Sequence, residues 1–196
     1  MSKKNKIVQT AKELIHLKGY QATTINDVLK GAEIGKGQFY YYFSSKRDLG
    51  LAVVHDLVDE WNHQSVINIL QSSKKPKEKL YEMLDWSLYF HNQTNSGCPI
   101  GNLALEMSEH DEEFRIKIDE VFHHWIYALK NVLDEMLEKG ELKQEIDTEK
   151  YAQSIVATIE GAVLLKKSKQ DIQILKNIMQ VIKLNLNNLI RRPELP

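Results

Sequence analysis

Residues 23–49 read Thr23-Thr24-Ile25-Asn26-Asp27-Val28-Leu29-Lys30-Gly31-Ala32-Glu33-Ile34-Gly35-Lys36-Gly37-Gln38-Phe39-Tyr40-Tyr41-Tyr42-Phe43-Ser44-Ser45-Lys46-Arg47-Asp48-Leu49. Thr23-Thr24 offers an N-cap for a short helix over 25–32. Residues 33–35 make a tight link, and a second short helix is predicted over 36–42. Ser44-Ser45 offers a cap for the next helix, with Asp48 in the first turn to suit its dipole. Upstream, Ile7, Ala11, Leu14 and Ile15 share one face of a helix over 4–18 that Gly19 stops. Helix, short helix, three-residue turn, short helix is the layout of a helix-turn-helix DNA reader, whose last helix enters a major groove.

The helix over 36–42 has the residues for that task. Phe39 and Phe43 are four apart and can face inward as anchors. Tyr40, Tyr41 and Tyr42 are spread around the axis in steps of about 100°, so they cannot all point inward. Lys36 and Gln38 cover further directions, and Gly37 lets the helix lie close to a partner.

Charge agrees with this reading. Residues 1–50 carry nine Lys/Arg and four acids, a net of +5, while the remainder carries 17 and 23, a net of −6. A basic head on an acidic body suits contact with a polyanion.

Four prolines and nine glycines in 196 residues favour long helices. A long helix is predicted over 46–71, a linker at Ser72-Ser73-Lys74-Lys75-Pro76, then helices over 76–93, 100–108, 111–139, 149–166 and 170–191. No stretch shows sustained period-two alternation. The expected fold is all-α: an N-terminal three-helix helix-turn-helix domain plus a C-terminal helical bundle, about nine helices in all. The divisions are 1–50 for the reader (its motif about 26–45), 51–75 for a connecting long helix and linker, and 76–196 for a dimerisation and ligand-sensing domain.

The single cysteine, Cys98, cannot form an intramolecular disulfide or, by itself, a thiolate metal site. No metal or cofactor is expected, and a reducing cytoplasm is the expected setting. Lys3, Lys4 and Lys6 are not followed by an apolar run of signal-peptide type, and Ala162–Leu165 is too short to span a bilayer, so no membrane partner is expected. Cys98 beside Pro99 reads as a small buried residue or a reactive thiol sensor.

Thr23-Thr24-Ile25, Lys36-Gly37-x-Phe39-Tyr40-Tyr41-x-Phe43 and Ser45-Lys46-x-x-Leu49 together resemble the tetracycline-repressor (TetR/AcrR) family over about residues 5–60. The resemblance implies a repressor that binds a double-stranded DNA operator as a homodimer and releases it when a small-molecule effector binds. It implies that Thr23 and Thr24 bind a phosphate through hydroxyls and backbone N–H groups. Lys36, Tyr40 and Tyr42 would touch backbone or groove, Lys46 a phosphate, and Gln38 and Tyr41 base edges, with Gly37 allowing close approach. Gln38 can pair bidentately with adenine. Glu33 stands where the family has glycine, Gly35 where it has a serine N-cap, and Gln38 and Tyr42 where it has threonine and histidine.

The C-terminal half is assigned two tasks on the same resemblance. For dimer contact the stripes are Ile155, Ile159 and Val163, and Ile174, Ile178, Ile182 and Leu186, either of which also fits a protomer core. For an effector pocket the residues are Trp86, Phe90, Leu103, Met107, Phe122, Trp125 and Ile126, with Asn102, Glu106 and Glu160 as polar contacts. The competing reading is a di-iron carboxylate enzyme, because Glu13/His16, Glu60/His63 and Glu120/His123 each sit three apart. His16 lies nearly opposite the apolar face of the first helix, which argues against that alternative.

Overall fold

A computed structural model describes residues 2–143 and 146–191. Among them are nine α-helices and one π-helical segment, with no strand beyond an isolated Leu142–Ile190 bridge. Two compact units emerge: Met1–Glu60 with Pro99–Val121, and Trp61–Cys98 with Phe122–Pro196.

In the first unit, α1 (Lys3–Lys18) is capped by the Ser2 hydroxyl and ends at Gly19, whose φ of +90° suits glycine. Its buried face is Ile7, Val8, Ala11 and Ile15. α2 (Ile25–Ala32) opens with a capping box. The Thr24 hydroxyl accepts the Asp27 N–H at 3.1 Å, and the Asp27 carboxylate accepts the Thr24 N–H at 2.8 Å.

α2 ends on Glu33 in the left-handed region, φ +55° and ψ +48°. A side chain there costs about 1–2 kcal/mol. Two contacts offset this: the Ile34 N–H donates to the Leu29 carbonyl at 3.0 Å, and Lys6 pairs with the Glu33 carboxylate at 2.9 Å. α3 (Lys36–Tyr42) starts from Gly35, which offers no side-chain cap.

α4 (Lys46–Trp61) is entered through Ser45, whose hydroxyl accepts the Asp48 N–H at 3.0 Å. Lys12 on α1 reaches Asp56 and Glu60 on α4, at 2.5 and 2.9 Å. α6 (Pro99–Met107) and the start of α7 (Glu112–Glu138) complete the unit. Tyr20 packs on Phe114 with ring centroids 5.1 Å apart. Gly50 lies under both rings, and a Cβ there would come within 2.5 Å of Tyr20 and 2.7 Å of Phe114.

The expected single helix over 46–71 is instead two kinds of helix. α-Helical turns stop at Trp61, and residues Asn62–Leu70 form a π-helix. The buried Ser65 hydroxyl donates to the Trp61 carbonyl at 2.8 Å, competing for the acceptor that an α-helical Ser65 N–H would use. The wider pairing is seen where the Gln71 N–H donates to the Val66 carbonyl at 2.8 Å. Buried Ser65, Val66, Ile69 and Leu70 form its inner face.

The rest of the second unit is α5 (Pro76–Asn92), α7 from Phe122 onward, α8 (Thr148–Lys169) and α9 (Ile172–Leu189). Pro76 occupies the first turn of α5, where its missing N–H costs nothing. α8 and α9 form a hairpin across Gln170, which is left-handed at φ +54°, and Asp171, which caps α9. Leu80, Met83, Leu84, Trp125, Leu129, Leu133, Ile159, Val163 and Leu175 are core. Among the described residues no helix is long and apolar enough to cross a membrane.

Candidate nucleic-acid interface

α3 stands on two anchors. Phe39 and Phe43 are buried, with ring centroids 6.0 Å apart. The remaining residues face outward to different degrees: Tyr41 is 78% exposed and Tyr40 56%, Lys36 and Gly37 are exposed, and Gln38 and Tyr42 are half-buried. The Tyr41 and Tyr42 rings meet edge to face at 4.8 Å. A Cβ at Gly37 would meet only open space, so glycine is not required for packing there. Lys36 makes no ion pair among the described residues, so its charge is available to a phosphate.

The two threonines divide. Thr24 is exposed as the cap of α2. Thr23 is 3% exposed, and its hydroxyl donates to the Gly19 carbonyl at 2.7 Å. The hydroxyl contact to phosphate expected of Thr23 does not fit this conformation, because the group is spent inside the fold. Asp27 holds the α2 N-terminus together. The Lys18 ammonium at 2.7 Å, with the Thr24 hydroxyl and N–H after it, depresses its carboxyl far below the usual range.

Lys46 sits at the start of α4, with its ammonium 3.0 Å from the Gln21 carbonyl and 4.6 Å from the centre of the Tyr20 ring. Burial lowers its pKa, and the Glu106 charge works against that shift. Glu106 is itself reassigned from the effector pocket. Its two carboxylate oxygens accept the backbone N–H groups of Tyr20 and Gln21, at 2.8 and 2.5 Å. It thus fastens α6 to the turn that leads into α2. Arg47 fastens the start of α7, with bonds of 2.6 and 2.9 Å to Asp111, just before that helix, and 2.8 Å to Glu113 in its first turn.

The other pocket residues fall in both units. Asn102, Leu103 and Met107 lie with Glu106 in the first, with Leu103 and Met107 buried. Trp86, Phe90, Phe122, Trp125, Ile126 and Glu160 lie in the second. There an aromatic cluster forms around Trp61, which the sequence reading missed because it placed that residue in a connecting helix. Trp61 meets Trp86 at 5.0 Å, Phe90 at 5.6 Å and Trp125 at 4.9 Å, and Trp86 stacks on Phe90 at 5.3 Å. Several buried polar atoms in this unit lack a hydrogen-bond partner: Trp61 Nε1, Trp125 Nε1, Tyr81 OH, Ser87 Oγ and Glu160 Oε1. Burial pushes the Glu160 carboxyl up to about 7, while a hydrogen bond with Cys98 opposes the shift.

Of the seven residues expected at a dimer contact, Ile155, Ile159, Val163, Ile182 and Leu186 are buried in the protomer core. Ile174 and Ile178 are half-buried. The opposite faces carry the exposed apolar groups, with Leu164 55%, Leu165 46%, Val181 51% and Leu184 61% exposed. The three Glu-x-x-His pairs do not converge, since Glu13, Glu60, His63 and His123 are exposed.

Known proteins agree with this geometry. Residues 7–53 match the family described as bacterial regulatory proteins, tetR family. Residues 76–181 match the C-terminal domain of LmrA/YxaF-like transcriptional regulators. An HTH-type transcriptional regulator in the lacX 3' region of Lactococcus lactis is 38% identical over 92% of this chain and 91% of its own. The transcriptional repressor NemR of Escherichia coli K12 is 26% identical over 95% of this chain and 93% of its own.

Among solved structures, a TetR transcriptional regulator from Chloroflexus aurantiacus matches with a TM-score of 0.87 at 25% identity, covering 96% of each chain. The reduced form of E. coli NemR matches with a TM-score of 0.85 at 26% identity, covering 98% of this chain and 99% of its own. A family match spanning the C-terminal half, together with α3 raised on Phe39 and Phe43, leads to one conclusion: this chain belongs to the tetR family of bacterial transcriptional regulators, with its DNA-binding domain at the N-terminus.

Proposed function

We propose that the protein is a ligand-responsive repressor that reads a palindromic operator as a homodimer. In this reading residues 1–50 are the reader, 51–75 connect and lend Trp61 to the sensing cluster, and 76–196 dimerise and supply the rest of the effector site. The observation that carries the DNA assignment is the exposure of Tyr40, Tyr41, Lys36 and Gly37 on a helix fixed by two buried phenylalanines. Gln38 and Tyr41 read base edges, while Lys36, Tyr40, Tyr42, Lys46 and the backbone N–H groups at the start of α2 hold phosphates. NemR is described as a repressor, which supports the same role here.

One α3 reads only a few base pairs, so two copies are needed for a usable site. The α8–α9 hairpin supplies the contact through Leu164, Leu165, Val181 and Leu184. Around Gly161 a Cβ would meet nothing of its own chain, which leaves room for a partner helix. Effector sensing is assigned to the cluster of Trp61, Trp86, Phe90 and Trp125. Apolar walls with unsatisfied polar atoms between them fit an organic molecule carrying a few hydrogen-bonding groups.

Selection of bound duplexes from a random pool tests the reading. The expected product is a palindrome whose half-sites are about one helical turn, or a multiple of it, apart. A pool with no enriched sequence in low salt refutes it.

A further inference from the structure

We propose that His91, Cys98 and Glu160 form a binding site for a borderline-soft divalent cation, Zn2+ foremost, with imidazole nitrogen, thiolate sulfur and carboxylate oxygen as three ligands and a fourth position open to water. One ligand atom from each residue lies within 4.8 Å of the other two. His91 and Cys98 are buried and Glu160 is half-buried. They come from α5, the segment just before α6, and α8, so the fold, and not any local spacing, brings them together. The expectation of no metal site rested on Cys98 having no second cysteine. An imidazole and a carboxylate take that cysteine's place.

The donor set selects the ion. Oxygen-seeking Mg2+ and Ca2+ have no use for a thiolate or an imidazole, whereas Zn2+ and Co2+ accept all three donors. Tetrahedral bonds of about 2.0–2.3 Å hold ligand atoms roughly 3.3–3.8 Å apart. With every pair already within 4.8 Å, the three groups draw together by at most about 1–1.5 Å to reach that spacing.

Glu160 Oε1 is a buried acceptor with no hydrogen-bond partner, an unsatisfied oxygen that a cation would engage. The nearby ammonium of Lys166 does not fill that role. It is buried, and it donates to the backbone carbonyls of His91, at 2.7 Å, and of Thr94. Those bonds hold the end of α5 in place, and the hydrogen bond between Cys98 and the Glu160 carboxyl already brings two of the three donors together. When the cation binds, the thiol proton leaves to solvent and the thiolate joins the metal.

The site goes beyond the DNA assignment, and its occupancy is read without DNA, so neither result decides the other. The test uses untagged full-length protein, freed of metal by a chelator, held reduced, and titrated with Co2+ without oxygen. The expected result is a thiolate-to-cobalt charge-transfer band, with the visible bands of a tetrahedral ion, saturating at one equivalent per chain and lost on adding Zn2+.

Cys98→Ser removes the charge-transfer band. His91→Ala and Glu160→Gln each weaken Co2+ by more than the ~10–100-fold typical of losing an outer partner of a ligand. Glu160→Asp keeps the carboxylate, and with it the band, at reduced affinity. Circular dichroism of each variant confirms folding, and a folded Glu160→Asp keeps the test valid if another variant unfolds. No thiolate band at saturating Co2+ overturns the proposal. So does a band of unchanged affinity in both His91→Ala and Glu160→Gln.

Discussion

Replacing Glu106 with alanine tests how the DNA-binding unit is held. The side chain accepts two backbone N–H groups from the turn before α2, and nothing else among the described residues bonds to those N–H groups through a carboxylate. A hydrogen bond to a charged group contributes about 1.5–3 kcal/mol when water is excluded. Gln21 is exposed, so water replaces much of its bond, whereas Tyr20 is buried at 6% exposure and keeps most of the loss.

Glu106→Ala therefore costs about 2 kcal/mol, or a fall in Tm of about 4–8 °C for a chain of this size. The loosened turn carries Thr23, Thr24 and the Lys46 contact at Gln21, so operator affinity falls with it. Urea unfolding monitored by tryptophan fluorescence measures the first effect, and operator titration at fixed salt measures the second. Stability within about 0.5 kcal/mol of wild type, with unaltered operator affinity, refutes the fastening role given to Glu106.

Other outcomes rest on the same structure. Gly50→Ala drives a methyl group into Tyr20 and Phe114 and costs about 1–3 kcal/mol in the same unfolding assay. Lys36→Ala leaves stability unchanged and lowers the salt slope of operator binding by about one unit, as fluorescence anisotropy across a salt series records. Leu184→Glu shifts the sedimentation mass from dimer to monomer, since the substitution places a charge in the exposed α9 face. Asp27 has a folded-state pKa below its unfolded value of about 3.9, so its contribution is present above that pH and fades as the pH falls through the folded value. Asp27→Asn accordingly loses stability near neutrality and shows a shallower acid limb, measurable by unfolding at stepped pH.

The short helices of the reader were legible because local chemistry marks their ends. Gly19, the Thr24–Asp27 box and the Ser45–Asp48 pair stop and start the chain within a few residues of each boundary. The turn at Glu33 was legible as well, as a tight link at a position where the family has glycine, the residue that enters the left-handed region without the cost a β-carbon incurs.

The illegible parts depend on distance or on a choice between equals. Periodicity shows that α8 and α9 each carry apolar stripes but does not say which stripe faces its own core. Ile155, Ile159, Val163, Ile182 and Leu186 went inside, and Leu164, Leu165, Val181 and Leu184 stayed out. Thr23 and Glu106 were read as ligands of outside molecules, because a polar side chain's internal partner is invisible until the fold brings it close. The π-helical stretch beyond Trp61 has no composition signature: the Ser65 hydroxyl back-bond that accompanies it also occurs at Thr158, where the helix stays α.

The seven-residue helix α3 assigns its anchoring to so few positions that its outer face is free to change. Phe39, with Phe43 just beyond it, seats the helix, while positions 36 and 37 lie open to solvent and Tyr40 and Tyr41 are more than half exposed, touching only the edges of Phe39 and Tyr42. Substitutions at the exposed positions of this helix therefore leave its seating on two phenylalanines intact, so the chemistry of its outer face can vary with little loss of stability.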